Sequence, residues 1–335
     1  MKIAIVKLSA LGDIVHAMVV LQFIKKLNKK IKIDWIVEEK YKDLLENHPH
    51  INKLHTINLS EVKKKKSIYL LLKELSRFRK IESYDLVIDM QGLIKSAIIA
   101  RIIPSKITIG FDKNSLRERL SAFFYSKSFR IEYSQNIILR NVKLISNSMN
   151  FDITNDELEN KNVFLFSKDN YSNNKLSSSK KNILIIPGAS NVSKCYSIKK
   201  LAELTTLIDA NFLIIWGNSK EKVMADEIKR ISPKVTVCSK LSIDSLITLI
   251  SRVNLVIGPD TGPTHMAWGL NIPSISLYGP TPGYRNSFVT DINKVIESDS
   301  KVNPYKINKN DYSINTIKVK TLYNLTKKLL KSAEI

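Results

Sequence analysis

The sequence predicts an α/β protein built from two doubly wound, Rossmann-like domains, and three observations point there. Short apolar runs of strand length alternate with segments long enough for crossover helices, the pattern of a parallel sheet covered on both faces. A polar stretch between Ser167 and Lys181 interrupts this alternation, which then starts again. Finally, 335 residues at 44% hydrophobic content exceed the usual size of one domain and supply two ordinary cores.

Residues 1–167 form the expected first domain. Lys2 to Val6 reads as a buried strand, and Ser9-Ala10-Leu11-Gly12-Asp13 leads into a helix carrying Ile14, Met18, Leu21 and Ile24 at helical spacing. Further strands are expected at Ile33–Val37, Leu86–Asp89 and Ile107–Ile109. Residues 168–181 read as the linker and 182–317 as the second domain. There the strand Ile183–Ile186 runs into the loop Pro187-Gly188-Ala189-Ser190, followed by a helix near Ile198–Ile208 and the strand Phe212–Trp216. A helix near Glu221–Ile231, strand Val235–Val237, helix Ile243–Ile250 and strands Leu255–Ile257 and Ser274–Leu277 complete it. In residues 318–335 a last amphipathic helix, about Lys318–Leu330, carries Leu322, Leu325 and Leu329 and is expected to pack back on the first domain. Open parallel sheets bind ligands at the carboxyl ends of their strands, so the active site is expected in a cleft that both domains face.

Composition narrows the chemistry. Cys195 and Cys238 are the only cysteines, with no Cys-x-x-Cys pair and no His cluster, which argues against a disulfide framework and a structural zinc site. The apolar run at the amino terminus is too short for a signal sequence, and no stretch approaches the ~18 apolar residues of a membrane span, so a soluble cytoplasmic protein is expected. Lys and Arg total 53 against 31 Asp and Glu, a net charge of +22, which attracts nucleic acid, anionic lipid or a phosphorylated substrate alike. Much of that excess follows a Lys-, Asn-, Ile- and Ser-rich composition spread over the whole chain. The run Lys63-Lys64-Lys65-Lys66, followed by Lys73, Arg77, Arg79 and Lys80, is instead local. A nucleic-acid-binding role is disfavoured because no recognition motif or aromatic-basic interleaving accompanies the charge.

Five loops at strand ends carry candidate chemistry. Gly258-Pro259-Asp260-Thr261-Gly262-Pro263-Thr264-His265 is a strand-to-helix turn whose free N–H groups suit a diphosphate, with hydroxyls from Thr261 and Thr264 and an imidazole from His265 beside it. Asp260 or Thr261 reads equally as a helix cap. The loop Pro187–Lys194 supplies Ser190 and Lys194, the latter either a counter-charge for a departing phosphate or an ordinary surface lysine. Glu221, after Trp216-Gly217-Asn218, suits ribose hydroxyls or simply the positive end of its helix. In the first domain Asp13 is a helix cap or a general base, His16 reads as structural, and Asp89-Met90-Gln91-Gly92 repeats the strand-end position as a candidate acceptor site. No Asp-x-Asp triplet is present, which favours stabilising the leaving group without a metal.

Five segments, taken in order, resemble the lipopolysaccharide heptosyltransferases. They are Lys7–His16, Asp34-Trp35-Ile36-Val37-Glu38-Glu39, Val87–Ser96, Asp260–His265 and Leu277-Tyr278-Gly279-Pro280-Thr281, and together they span nearly the full chain. The second and third favour members that add the first heptose over those that add the second. The resemblance implies a GT-B fold and inverting transfer of L-glycero-D-manno-heptose from ADP-heptose to the Kdo of Kdo2-lipid A, with no cofactor or metal. It implies Asp13 as base, with Ser190, Lys194, Glu221, Asp260, Thr261, Gly262 and His265 on the nucleotide sugar. The family's Thr-rich nucleotide loop is here Gly188-Ala189-Ser190-Asn191, and proline follows Gly262, two departures from its pattern. For the anionic acceptor the candidates are Lys7, Gln91, Lys63, Lys64, Arg117 and Arg140, with Lys65, Lys66 and Arg119 as neighbours. The partners implied are ADP-heptose and Kdo2-lipid A, with no nucleic acid and no disulfide partner, and the location is cytoplasmic and peripheral on the inner face of the inner membrane. A second-heptose transferase, another sugar transferase of the same fold and a sugar-nucleotide epimerase are the remaining alternatives.

Overall fold

The computed structural model describes residues 1–169 and 175–332. The chain forms two compact units, Met1–Phe166 and Ser167–Ile335. Of the expected linker 168–181, residues 170–174 lie outside the described residues, as do 333–335 of the last segment. Ser167 and the described linker residues are tied into the second unit: Ser167 Oγ accepts from Thr248 Oγ1 at 2.8 Å, the Asp169 N–H donates to Asp244 at 2.8 Å, and Lys175 donates to the Val237 carbonyl at 3.0 Å.

The first unit is a parallel sheet of β1 (Lys2–Val6), β2 (Lys32–Glu38), β3 (Lys53–Ile57), β4 (Tyr84–Asp89), β5 (Ser105–Phe111) and β6 (Lys127–Phe129), in the order β3-β2-β1-β4-β5-β6. Every pairing is parallel, with Ile5 opposite Trp35 on one side and Ile88 on the other. The second unit repeats the plan with β7 (Asn182–Ile185), β8 (Asn211–Ile214), β9 (Thr236–Val237), β10 (Leu255–Pro259), β11 (Ser274–Tyr278) and β12 (Asn293–Glu297), in the order β12-β11-β10-β7-β8-β9. In both units the first and fourth strands lie side by side where the strand order reverses, the crevice at which such sheets take ligands. The central strands are built on apolar runs because helices cover both faces. Ile3, Ala4, Ile5 and Val6 are fully buried, as are Ile183, Leu184 and Ile185.

The sequence reading misses three strands, β3, β6 and β12, all at or next to a sheet edge. Each mixes polar with apolar residues (Lys-Leu-His-Thr-Ile, Lys-Ser-Phe, Asn-Lys-Val-Ile-Glu), so none shows the continuous apolar run of a central strand. The helix expected from Ile14 to Ile24 is two, Leu11–Met18 and Val20–Leu27. The last helix, Val319–Ser332, corrects another expectation. Its apolar stripe serves the second unit rather than the first: Leu322 and Leu329 belong to the core formed by Ile183, Phe212 and Leu255, and Leu325 packs against it.

Candidate functional site

In the second unit three loops leave the carboxyl ends of the neighbouring strands β7, β10 and β11, and their side chains meet at Asp260. The strand β10 runs through Gly258 because a Cβ there would stand 2.6 Å from Thr264 Oγ1 and 2.8 Å from Ile186 Cβ. After β10 the chain turns into the helix Gly262–Gly269, with Thr261 at its N-cap and proline in the first turn. No side-chain hydrogen bond caps this helix, so neither Asp260 nor Thr261 serves there as a capping group. Its first-turn N–H groups, at Gly262 and Thr264, have no acceptor within the helix, which is the arrangement that receives an anion.

Asp260 is 8% exposed and its carboxylate is gripped from both sides. Oδ1 lies 3.0 Å from His265 Nε2, while Oδ2 lies 2.7 Å from Lys194 Nζ and accepts from Thr281 Oγ1 at 3.0 Å and Asn286 Nδ2 at 3.2 Å. Burial alone would raise this carboxyl. The Lys194 ammonium and the His265 contact outweigh it and hold the group well below the usual carboxylate range. Tyr278, fully enclosed at the end of β11, is pushed far up by burial and by the Asp260 charge, so its hydroxyl stays protonated and pairs with Ser287 at 2.7 Å. The cluster therefore fixes one ammonium and one imidazole beside a helix start, where a diphosphate needs counter-charge.

Glu221 lies close to a second pair of loops. Its Oε2 accepts from the Gly217 N–H at 2.6 Å, and its Cγ occupies the space a Cβ on Gly188 would need, 2.2 Å away. Glycine at 188 is thus what lets Glu221 lie over the loop after β7. Ser190 is exposed on that loop.

In the first unit, Asp13 occupies the first turn of the helix Leu11–Met18, half-buried, and its Oδ2 accepts from the Ala10 N–H at 3.1 Å. The turn before it is braced from β4: Gln91 Oε1 accepts from the Leu8 and Ser9 N–H groups at 3.2 and 3.1 Å. Asp89, fully buried, shapes the Gln91 turn by accepting from the Gln91 and Gly92 N–H groups, from Ser96 Oγ and from Tyr125 OH at 2.8 Å. Burial raises this carboxyl despite those four donors. The Lys7 ammonium is buried and donates to the Met90 carbonyl at 2.9 Å. The polar groups of Lys7 and Gln91 thus link the ends of β1 and β4.

The basic candidates separate. Arg140 is 3% exposed, and its guanidinium donates to the carbonyls of Ile131, Ser115 and Glu132 while lying over the Phe111 ring. It holds the segment after β5 in place, and acceptor contact is the wrong expectation for it because its charge is consumed inside the unit. Lys63, Lys64 and Arg117 are exposed, the first two on the short helix Leu59–Lys65. Among the described residues no group of three or more His, Cys, Asp or Glu is placed to hold a metal ion, and no helix is long and apolar enough to cross a membrane.

Sequence reasoning assigned no role to Thr281 and Asn286. Thr281 follows the end of β11, the position that made Asp260 and Lys194 candidates, and the same rule applied to β11 would have found it. Asn286 lies in the short helix Gly283–Asn286 and had no such signal.

Comparison with known proteins identifies the family. Residues 73–311 match the model of glycosyltransferase family 9 (heptosyltransferase). The chain is 41% identical to the lipopolysaccharide heptosyltransferase 1 of Campylobacter coli, over 98% of this chain and 99% of that one. It is 26% identical to the enzyme of that name from Pseudomonas aeruginosa, over 86% and 81%. Among solved structures it superposes on Escherichia coli heptosyltransferase WaaC with ADP at TM-score 0.80 and 21% identity, over 98% and 100% of the chains. A family 9 transferase from Veillonella parvula gives 0.83 at 18% identity, over 99% and 97%. The fold is the two-unit α/β arrangement of these GT-B transferases, and the match over most of its length shows that the chain belongs to glycosyltransferase family 9, the heptosyltransferases.

Proposed function

We propose that this enzyme transfers L-glycero-D-manno-heptose from ADP-heptose to the Kdo of Kdo2-lipid A, the first heptose of the lipopolysaccharide inner core. The observation that carries the donor half is the buried Asp260 carboxylate, which pins Lys194 and His265 beside the start of the helix Gly262–Gly269. An ADP diphosphate seated there meets an ammonium and first-turn N–H groups. Glu221 is the carboxylate for the ribose, and Ser190, Thr261 and Gly262 line the phosphates. Support for this donor comes from the E. coli relative, solved with ADP and with ADP-2-deoxy-2-fluoro heptose. The acceptor follows the 41% identical relative, a lipopolysaccharide heptosyltransferase 1.

Asp13 is the general base. It removes the proton of a Kdo hydroxyl as that oxygen attacks the anomeric carbon from the face opposite the diphosphate. The bond from the anomeric carbon to the β-phosphate oxygen breaks, configuration inverts, and ADP leaves with the electron pair. Lys194 and the helix start stabilise the charge growing on that oxygen. The exposed Lys63, Lys64 and Arg117 draw in the anionic acceptor, and the reaction runs at the inner face of the inner membrane.

The test supplies purified enzyme and ADP-heptose with Kdo2-lipid A or with the same acceptor already carrying one heptose. Transfer to the first alone is expected. Transfer only to the heptosylated acceptor would identify a second-heptose enzyme, and sugar release or isomerisation without acceptor would overturn the reading. Neutralising Lys63 and Lys64 should raise the acceptor KM and flatten its salt dependence, with kcat and donor KM unchanged.

A further inference from the structure

The helix Ile68–Arg79 packs by one apolar side and exposes further apolar residues in its first turns. Successive residues turn by about 100°, so Leu71, Leu75 and Phe78 share one side, where Phe78 is buried and Leu75 packs against the first unit's core. Tyr69 and Leu72 turn away from that side and, with Ile68 at the helix's first residue, leave three large apolar side chains 73%, 59% and 74% exposed. Tyr69, Leu72, Lys73, Ser76, Arg77 and Lys80 line an open hollow of about 480 Å³ there.

The surround of this patch has one sign. From Lys63 to Lys80 the chain carries eight basic residues and one acidic residue, Glu74, which pairs with Arg77 at 2.6 Å. Lys65 pairs with Glu61 just before the run. Lys63, Lys64, Lys66, Lys73, Arg79 and Lys80 are all exposed. A polynucleotide would neutralise these charges yet leave Ile68 and Leu72 in water. A bilayer interface takes both, with apolar side chains at the acyl boundary and ammonium groups among the phosphates.

We propose that the outer face of the helix Ile68–Arg79, together with the lysine turn before it, is the surface by which this enzyme docks on an anionic phospholipid bilayer. It rests on the reading above only in placing the reaction at a membrane, and vesicles free of acceptor let the two fail separately.

The full chain is sedimented with vesicles of phosphatidylglycerol or of phosphatidylcholine, without acceptor. Binding to the anionic vesicles is expected to be at least tenfold tighter and to weaken as salt rises. Ile68→Ser/Leu72→Ser should lose at least tenfold in vesicle affinity while keeping its melting temperature and its rate on a detergent-dispersed acceptor. Lys73→Gln/Arg79→Gln/Lys80→Gln should lose a similar factor and flatten the salt dependence. Equal binding to both vesicles, no binding to either, or an apolar variant that binds like the parent overturns the proposal. Displacement of the enzyme from vesicles by an oligonucleotide, with the apolar variant retaining full oligonucleotide affinity, assigns the face to a polyanion instead.

Discussion

Replacing Lys194 by methionine removes the ammonium that lies 2.7 Å from Asp260 and keeps a side chain of similar length. The carboxylate would retain His265, Thr281 and Asn286, so its hydrogen bonds survive while its main charge partner is lost. Breaking a buried pair from one side costs about 3 kcal/mol, the lower end of the usual range because three donors remain. In a unit of this size that corresponds to a fall of roughly 6–12 °C in its melting temperature. The pH dependence separates this cause from a packing defect. Asp260 is held below its ordinary value in the folded protein, so its contribution to stability is present above the unfolded carboxyl value of about 3.9 and is lost as pH falls toward the folded value. The methionine variant lacks much of that depression, so its deficit is largest at neutral pH and narrows below about pH 4. Calorimetric melts of parent and variant from pH 7 to pH 3, with Lys194→Met/Asp260→Asn closing the cycle, measure this directly. A deficit that is constant across pH, or a double variant that loses the sum of the two single losses, would refute the ion-pair account.

Three further outcomes follow from contacts in the two units. Asp13→Asn keeps an oxygen to accept from the Ala10 N–H, so the helix start should survive with little change in melting temperature while kcat falls by about 10²–10⁴-fold; a fully active variant would leave Asp13 as a cap only. Gly188→Ala forces Glu221 off its seat against Gly217, and the donor KM should rise about tenfold with kcat less affected; an unchanged donor KM would show that Glu221 does not touch the nucleotide. Arg140→Met strips three carbonyls of their donor and should destabilise the first unit by about 2–3 kcal/mol without moving the acceptor KM, whereas a raised KM at unchanged melting temperature would restore Arg140 to the acceptor site.

The parts of the fold legible in the sequence are those where burial is one-sided or total. The central strands β1, β4, β7 and β10 each hold an uninterrupted apolar run of three or four residues because helices cover both faces, and a run of that kind survives any ambiguity of period. Of the four edge strands only β9 was read, since β3 and β12 interleave Lys, His, Asn and Glu with their apolar residues and β6 is three residues long. A helix's apolar stripe likewise announces that it packs without saying where, which is why Leu322 and Leu329 were assigned to the wrong unit. Among the candidate site residues, Asp260 and Lys194 were found singly by their places after β10 and β7. Their 2.7 Å contact depends on the adjacency of those strands, a property of topology that neither local motif contains.

The same distinction decides what the net charge of +22 means. Many of the 53 basic residues are locally matched within the fold, and +22 is the excess left after all acids are counted: Lys2 and Lys53 share Glu82, Lys106 meets Asp85, Lys180 meets Asp209, and Arg140 is enclosed by carbonyls. Exposed pairs of this kind add little stability, but they cancel the field that a distant polyanion would feel. Between Lys63 and Lys80 a single acid opposes eight basic residues, so the field there is not cancelled. A sequence count weighs Arg140 and Lys73 equally. The structure shows that only the second has its charge facing water beside an exposed apolar turn, and it is this pairing of uncancelled charge with Ile68 and Leu72 that distinguishes a bilayer surface from a merely basic one.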